Sequence, residues 1–156
     1  NIGASAFSLT EFTAVATNNQ GYIGLLGTGG TGSKIIILNE ETLATVQTIS
    51  LSGGGWNRIK LINEEYAVAT NSSNTYVYRI NDGSLITSSL PAGNIATSNL
   101  FTAIVDSGQV KVYNNTNNFS LHKTVSNPNV NTTSASDGFS NALSITDQRL
   151  WVGAEY

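Results

Sequence analysis

Residues Tyr66-Ala67-Val68-Ala69-Thr70-Asn71-Ser72-Ser73-Asn74-Thr75-Tyr76-Val77-Tyr78-Arg79-Ile80-Asn81-Asp82-Gly83-Ser84-Leu85-Ile86-Thr87 decide the fold. A small apolar run gives way to a polar turn, then to a run rich in β-branched and aromatic residues. An Asn-Asp-Gly-Ser cluster follows, and a third run begins at Leu85. No helical period connects these runs, while the turn residues between them punctuate antiparallel strands. Asp82-Gly83 supplies the positive φ that a hairpin connection requires.

Outward from this stretch the pattern recurs. The small apolar strand has copies at Tyr22 to Leu26, Phe101 to Val105 and Leu150 to Ala154, about 35 to 50 residues apart. The alternating strand has copies at Lys34 to Asn39 and Gln109 to Asn114. Third strands are expected at Ala44 to Ile49, Leu85 to Thr87 and Leu121 to Val125. A further strand precedes each unit, at Thr13 to Thr17, Asn57 to Ile62, Asn94 to Ser98 and Ala142 to Thr146.

Four strands per unit at this period describe the blades of a β-propeller. The expectation is an all-β, propeller-like array of about three and a half four-stranded antiparallel blades. Residues 1–156 then form one propeller-type region, continued by a longer chain or completed by neighbouring subunits, because an unclosed array leaves strand edges open. A β-sandwich of short, regularly spaced strands is the alternative fold.

Charged residues make up only 11% of the chain and the net charge is −3, with Ser, Thr, Asn and Gly in their place. Seven dispersed basic residues form no footprint for nucleic acid, and no apolar run is long enough for a membrane-spanning helix. Neither nucleic acid nor membrane insertion is expected. Cysteine is absent, which removes disulfides and thiolate metal ligands. The chain starts at Asn1 and contains no Met, and is read as a mature product or an excerpt of something longer.

The segments Ser120-Leu121-His122-Lys123-Thr124-Val125-Ser126-Asn127-Pro128-Asn129, Thr133 to Thr146 and Leu150-Trp151-Val152-Gly153-Ala154 resemble FG-GAP repeats. These are the blade units of integrin α-subunits and of bacterial and phage surface proteins. The resemblance is clearest over residues 119–155, with Phe139-Ser140 standing where the family has Phe-Gly. It implies blades that serve adhesion or an extracellular or virion assembly.

The catalytic and cofactor classes find little purchase. Asp106-Ser107-Gly108 carries one carboxylate and Asn114 to Asn118 only amides, short of the dense acidic loop that calcium requires; Asp137 and Asp147 read as turn formers. One histidine, His122, precludes a paired-histidine site within the chain. Glu40-Glu41 and Glu64-Glu65 sit beside turns as solvated hairpin residues rather than as a pair across a cleft. Gly27 to Gly32 and Gly53-Gly54-Gly55 lack the Lys-Ser/Thr and helix of a phosphate loop. No enzyme, no metal and no cofactor are expected.

The aromatic residues carry the binding expectation, since Trp and Tyr anchor protein partners and stack on sugars. Trp56 with Arg58 follows the triple glycine on a loop; Tyr76 and Tyr78 share one strand face, exposed if Val77 is buried; Trp151 lies in the last strand, as core or as a contact to another chain. Two functions remain. One is a structural or adhesive component of a virion or cell-surface appendage, docking other protein subunits. The other is a carbohydrate-binding module for cell-surface glycans.

Overall fold

The computed structural model describes residues 7–18, 20–128, 139 and 142–153. The chain divides into two compact units, Asn1–Leu90 and Pro91–Tyr156. The first unit holds two four-stranded sheets: β1 (Glu11–Thr17), β2 (Tyr22–Gly29), β3 (Gly32–Asn39) and β4 (Thr45–Leu51), then β5 (Arg58–Ile62), β6 (Tyr66–Thr70), β7 (Asn74–Arg79) and β8 (Leu85–Pro91). In the second unit β9 (Ile95–Thr97), β10 (Phe101–Asp106), β11 (Gln109–Asn114) and β12 (Ser120–Ser126) form a third sheet, and β13 (Ala142–Ile145) pairs with β14 (Leu150–Gly153).

Within each sheet the strands lie in sequence order, each bonded to its chain neighbour. This meander is the topology of a propeller blade; the crossed Greek-key connections of a sandwich are absent among the described strands. The fold is all-β and propeller-like, with the first strands of successive sheets next to one another inside each unit: β1 beside β5 in the first, β9 beside β13 in the second.

The turns are built on side-chain amides. Asn39 Oδ1 accepts from the amides of Glu41 and Thr42 at 3.1 and 2.9 Å, and Asn71 Oδ1 from those of Ser73 and Asn74 at 2.9 Å each. Asn114 repeats the arrangement with the amide of Thr116. Such a side chain mimics a backbone turn, which is why Asn is abundant between strands here. Gly83 has the anticipated positive φ of 71°, within a five-residue connection longer than the tight hairpin that Asp-Gly foreshadowed. The β3–β4 connection repeats its hydrogen bonds: Arg79 N to Ser84 O and Gly83 N to Arg79 O correspond to Asn39 N to Ala44 O and Leu43 N to Asn39 O. Leu43 therefore occupies the glycine position, at φ 56°.

The core of the first unit lies between its two sheets. Leu26, Ile35, Ile37, Ile49 and Leu51 of the first sheet pack with Ile59, Leu61, Ala67, Ala69, Tyr78 and Ile80 of the second. Gly24 lets the sheets approach, since a Cβ there would lie 3.0 Å from the Ile59 and Leu61 side chains. On the opposite face of the first sheet, Ile36 and Leu38 are covered by Leu9, with Phe7 against them. The second unit has a smaller buried cluster, Ala103, Val110 and Val112, ringed by half-buried Phe101, Val125, Phe139, Leu143, Ile145, Leu150 and Val152. Of the FG-GAP-like segments, Asn129, residues 133–138, 140, 141 and 154 lie outside the described residues, as does the candidate Asp137.

Candidate interaction surfaces

Strands alternate in direction, so the β1–β2, β5–β6 and β7–β8 turns emerge at one end of the first unit. There Gln20, Asn63, Glu64, Glu65, Arg79 and Asn81 line an open cleft of about 670 Å³. Asn63 takes φ 50° to make the tight β5–β6 turn, and its carbonyl accepts a hydrogen bond from Asn18 Nδ2. The amide of Ile80 donates to Glu65 O at 2.8 Å, tying two of the turns together. Burial, then the hydrogen bond and negative charge of Glu65, push the Tyr66 hydroxyl pKa up, with Arg79 opposing. Two carboxylates, a guanidinium and several amides make this cleft a hydrogen-bonding surface without an aromatic wall.

The second unit carries a smaller apolar groove of about 230 Å³, lined by Phe101, Val112, Val125, Ile145 and Leu150, with His122 at its side. His122 is exposed on β12, as expected of a strand residue, with its ring centroid 5.0 Å from that of Phe101. Asp147 bonds the amide of Leu100 at 2.8 Å, so its carboxylate is a turn brace. Thr102 and Asn115 are fully buried beneath this region: Thr102 Oγ1 donates to Asn115 Oδ1 at 2.7 Å, and Asn115 Nδ2 donates to the carbonyls of Ser98 and Asn99.

The five residues singled out as binding candidates do not form one surface. Trp56 is 3% exposed and belongs to the first unit's core, its ring edge-on to Tyr76 with centroids 4.9 Å apart. This corrects the loop reading. The amide of Asn57 bonds Thr70 O at 3.0 Å, extending the β5–β6 ladder to the residue after Trp56 and directing the indole inward. Tyr78 is also core, at 5% exposure, and Tyr76 is half-buried, stacked on it at 6.4 Å. Val77 is buried, yet its tyrosine neighbours are not the surface pair expected in that case, because a strand inside a blade has neighbours on both faces. Burial raises the Tyr78 pKa. Arg58 is exposed on β5, and Trp151 is exposed on β14.

Other exposed apolar residues escaped the sequence reading, among them Phe12, Val15, Leu85 and Leu121. Period-2 alternation marks Val15 as facing away from core residues Ala14 and Ala16, but only the sheet packing shows which of the two faces is open.

No protein-family model matches the chain, and no characterised protein matches it in sequence. Solved structures do match in shape. BamB from Moraxella catarrhalis aligns over 92% of this chain and 44% of its own at a TM-score of 0.64 and 16% identity. Kluyvelomyces marxianus Hsv2 aligns over 96% and 45% at 0.62 and 9%. PorZ of Porphyromonas gingivalis, a bacterial surface component of the type-IX secretion system, aligns over 92% and 18% at 0.57 and 12%. At these identities the similarity is one of fold, and the fold is that of β-propeller proteins. The chain spans less than half the length of each of these three.

Proposed function

We propose that the chain is a non-catalytic docking module whose propeller-type blades hold protein subunits of an extracellular or virion assembly. The observation that carries this reading is the distribution of apolar side chains. Of the aromatics best suited to stack on sugars, Trp56 and Tyr78 are core and Tyr76 is half-buried against them, whereas Trp151 and Val15 stand on open strand faces at 50% and 65% exposure. Val15 stands beside exposed Phe12, and adjoining apolar side chains on a folded surface mark a protein contact. The similarity to a bacterial surface component and the FG-GAP-like segments support a place outside the cytoplasm. The weakly charged Ser/Thr/Asn surface is in keeping with an adhesive or fibre component.

The polar cleft of Gln20, Asn63, Arg79 and Asn81 favours a second reading, a module that binds a hydroxyl-rich glycan through hydrogen bonds. Native-source material separates the two. Light scattering and intact mass are expected to find the chain in a particle with other polypeptides at fixed stoichiometry. A chain recovered alone that binds members of a glycan array with saturation would overturn docking in favour of sugar recognition.

A further inference from the structure

The first unit shows how one blade covers the next. Ala14, Ala16 and Leu26 of the first sheet meet Ile59, Leu61 and Ala69 of the second, small residues on one side admitting larger ones from the other. Alternation turns the other side chains of β1 and β2 to the opposite face. Leu9 closes the part over Ile36 and Leu38, but Phe12 and Val15 remain 40% and 65% exposed beside a groove of about 300 Å³ that Leu25 floors.

The second unit has the counterpart. On β13–β14 the residues Leu143, Ile145, Leu150 and Val152 face the unit's own core. The reverse face carries Ala142, Ser144, Trp151 and Gly153, with Trp151 directly opposite Ser144 and Gly153 opposite Ala142. A half-exposed indole thus rises from a floor of small residues.

From these two faces we infer a self-contact: Trp151 of one copy inserts against Phe12, Val15 and Leu25 of a second copy of this chain. The inference deepens the docking reading by naming the partner of that surface. Three features favour a second copy. The two faces are of the kinds that already pack on each other within the first unit. No residue named on either face is charged, so closing the contact strips water from no ionic group. Both faces belong to one chain, so each copy carries the complement of the other's open face.

Light scattering on the purified chain is expected to give twice 16.4 kDa at micromolar concentration. Val15→Asp and Trp151→Asp, both at exposed positions, should each raise the dissociation constant about tenfold or more, with circular dichroism unchanged. The milder Val15→Ser and Trp151→Ser serve if either aspartate variant loses its fold. Mixing the two single variants restores one intact contact and should return a heteropair, seen as energy transfer between differently labelled variants. A wild-type mass of 16.4 kDa overturns the self-contact, even if native-source particles containing other polypeptides leave the docking reading standing. A pair that tolerates Val15→Asp also overturns it, since a Trp151-to-Trp151 contact or pairing through the edge of β14 has no need of Val15.

Discussion

The two units are built from the same repeat and differ in how deeply the space between their two sheets is buried. In the first, two complete sheets clasp Leu26, Ile35, Ile37, Trp56, Tyr78 and Ile80 between them, each at most 5% exposed. In the second, a complete sheet faces a two-stranded one, and of the apolar cluster between them Ala103 and Val110 reach that depth, with Val112 just short of it and larger side chains held half-buried around them. A blade's apolar face is only as dry as the number of strands laid across it. The second unit is also the one that buries an amide, Asn115, on a hydroxyl and two carbonyls, where the first buries Thr70 against Thr75 at 3.0 Å.

Emptying both cores should separate the two units most widely. Ile37→Ala is expected to cost about 2–5 kcal/mol in chemical denaturation, as a fully buried aliphatic side chain does, and Leu143→Ala less than about half of that. Equal losses would show that the second unit is as tightly packed as the first. Next comes the polar support: Asn115→Ala leaves Thr102 and two carbonyls without their partner and should cost about 1–3 kcal/mol, read as faster hydrogen exchange in β10 and β11. If exchange accelerates equally in the first unit, the two do not unfold separately.

Within the first unit, the paired turns offer a reciprocal test. Leu43 and Gly83 hold the same left-handed position, and a side chain there strains the backbone by about 1 kcal/mol. Leu43→Gly should raise the melting temperature by a few degrees and Gly83→Ala lower it through backbone strain alone, as a Cβ at Gly83 meets nothing closer than 3.6 Å. A Leu43→Gly variant that melts lower would mean the leucine contributes by packing instead.

The smallest effect belongs to the β10–β11 hairpin, where Lys111 pairs with Asp106. Lys111, then the Ser107 hydroxyl, hold the Asp106 pKa below its ordinary 3.8, and Asp106 in turn raises that of Lys111. The carboxylate's contribution is therefore present above about pH 4 and fades as pH falls through its lowered folded value, while that of the ammonium is present below about pH 10 and fades above. Asp106→Asn should flatten the acid limb slightly, and added salt should mask the difference because the pair is partly solvated. An acid limb unchanged by Asp106→Asn would show that the pair adds nothing to the hairpin.

Most of the strand order was legible in the sequence. The four leading strands, the small apolar strands and the third strands fall where the period and the Asn- and Gly-rich turns place them, because turn chemistry is local. The burial of Trp56, Tyr76 and Tyr78 was not legible. Alternation along β7 assumes one wet face, whereas a strand inside a blade has cover on both sides, and no local signal distinguishes the two. Trp56 follows three glycines and carries the marks of a loop; a backbone bond between Asn57 and Thr70, distant in sequence, turns it inward. The polar cleft was missed for the same reason, since Gln20, Asn63 and Arg79 converge only once successive hairpins are laid side by side.

The in-order meander of each sheet also governs how the chain acquires its shape. Every strand bonds to the one synthesised just before or after it, so each loop to be closed is short and its entropic cost small. Low contact order of this kind favours quick folding for an all-β protein. A sheet is able to zip from its first hairpin as the polypeptide emerges, without waiting for a distant partner strand. The growing chain thus need not expose a long unpaired edge for more than one hairpin at a time, which shortens the interval in which such edges find the wrong neighbour.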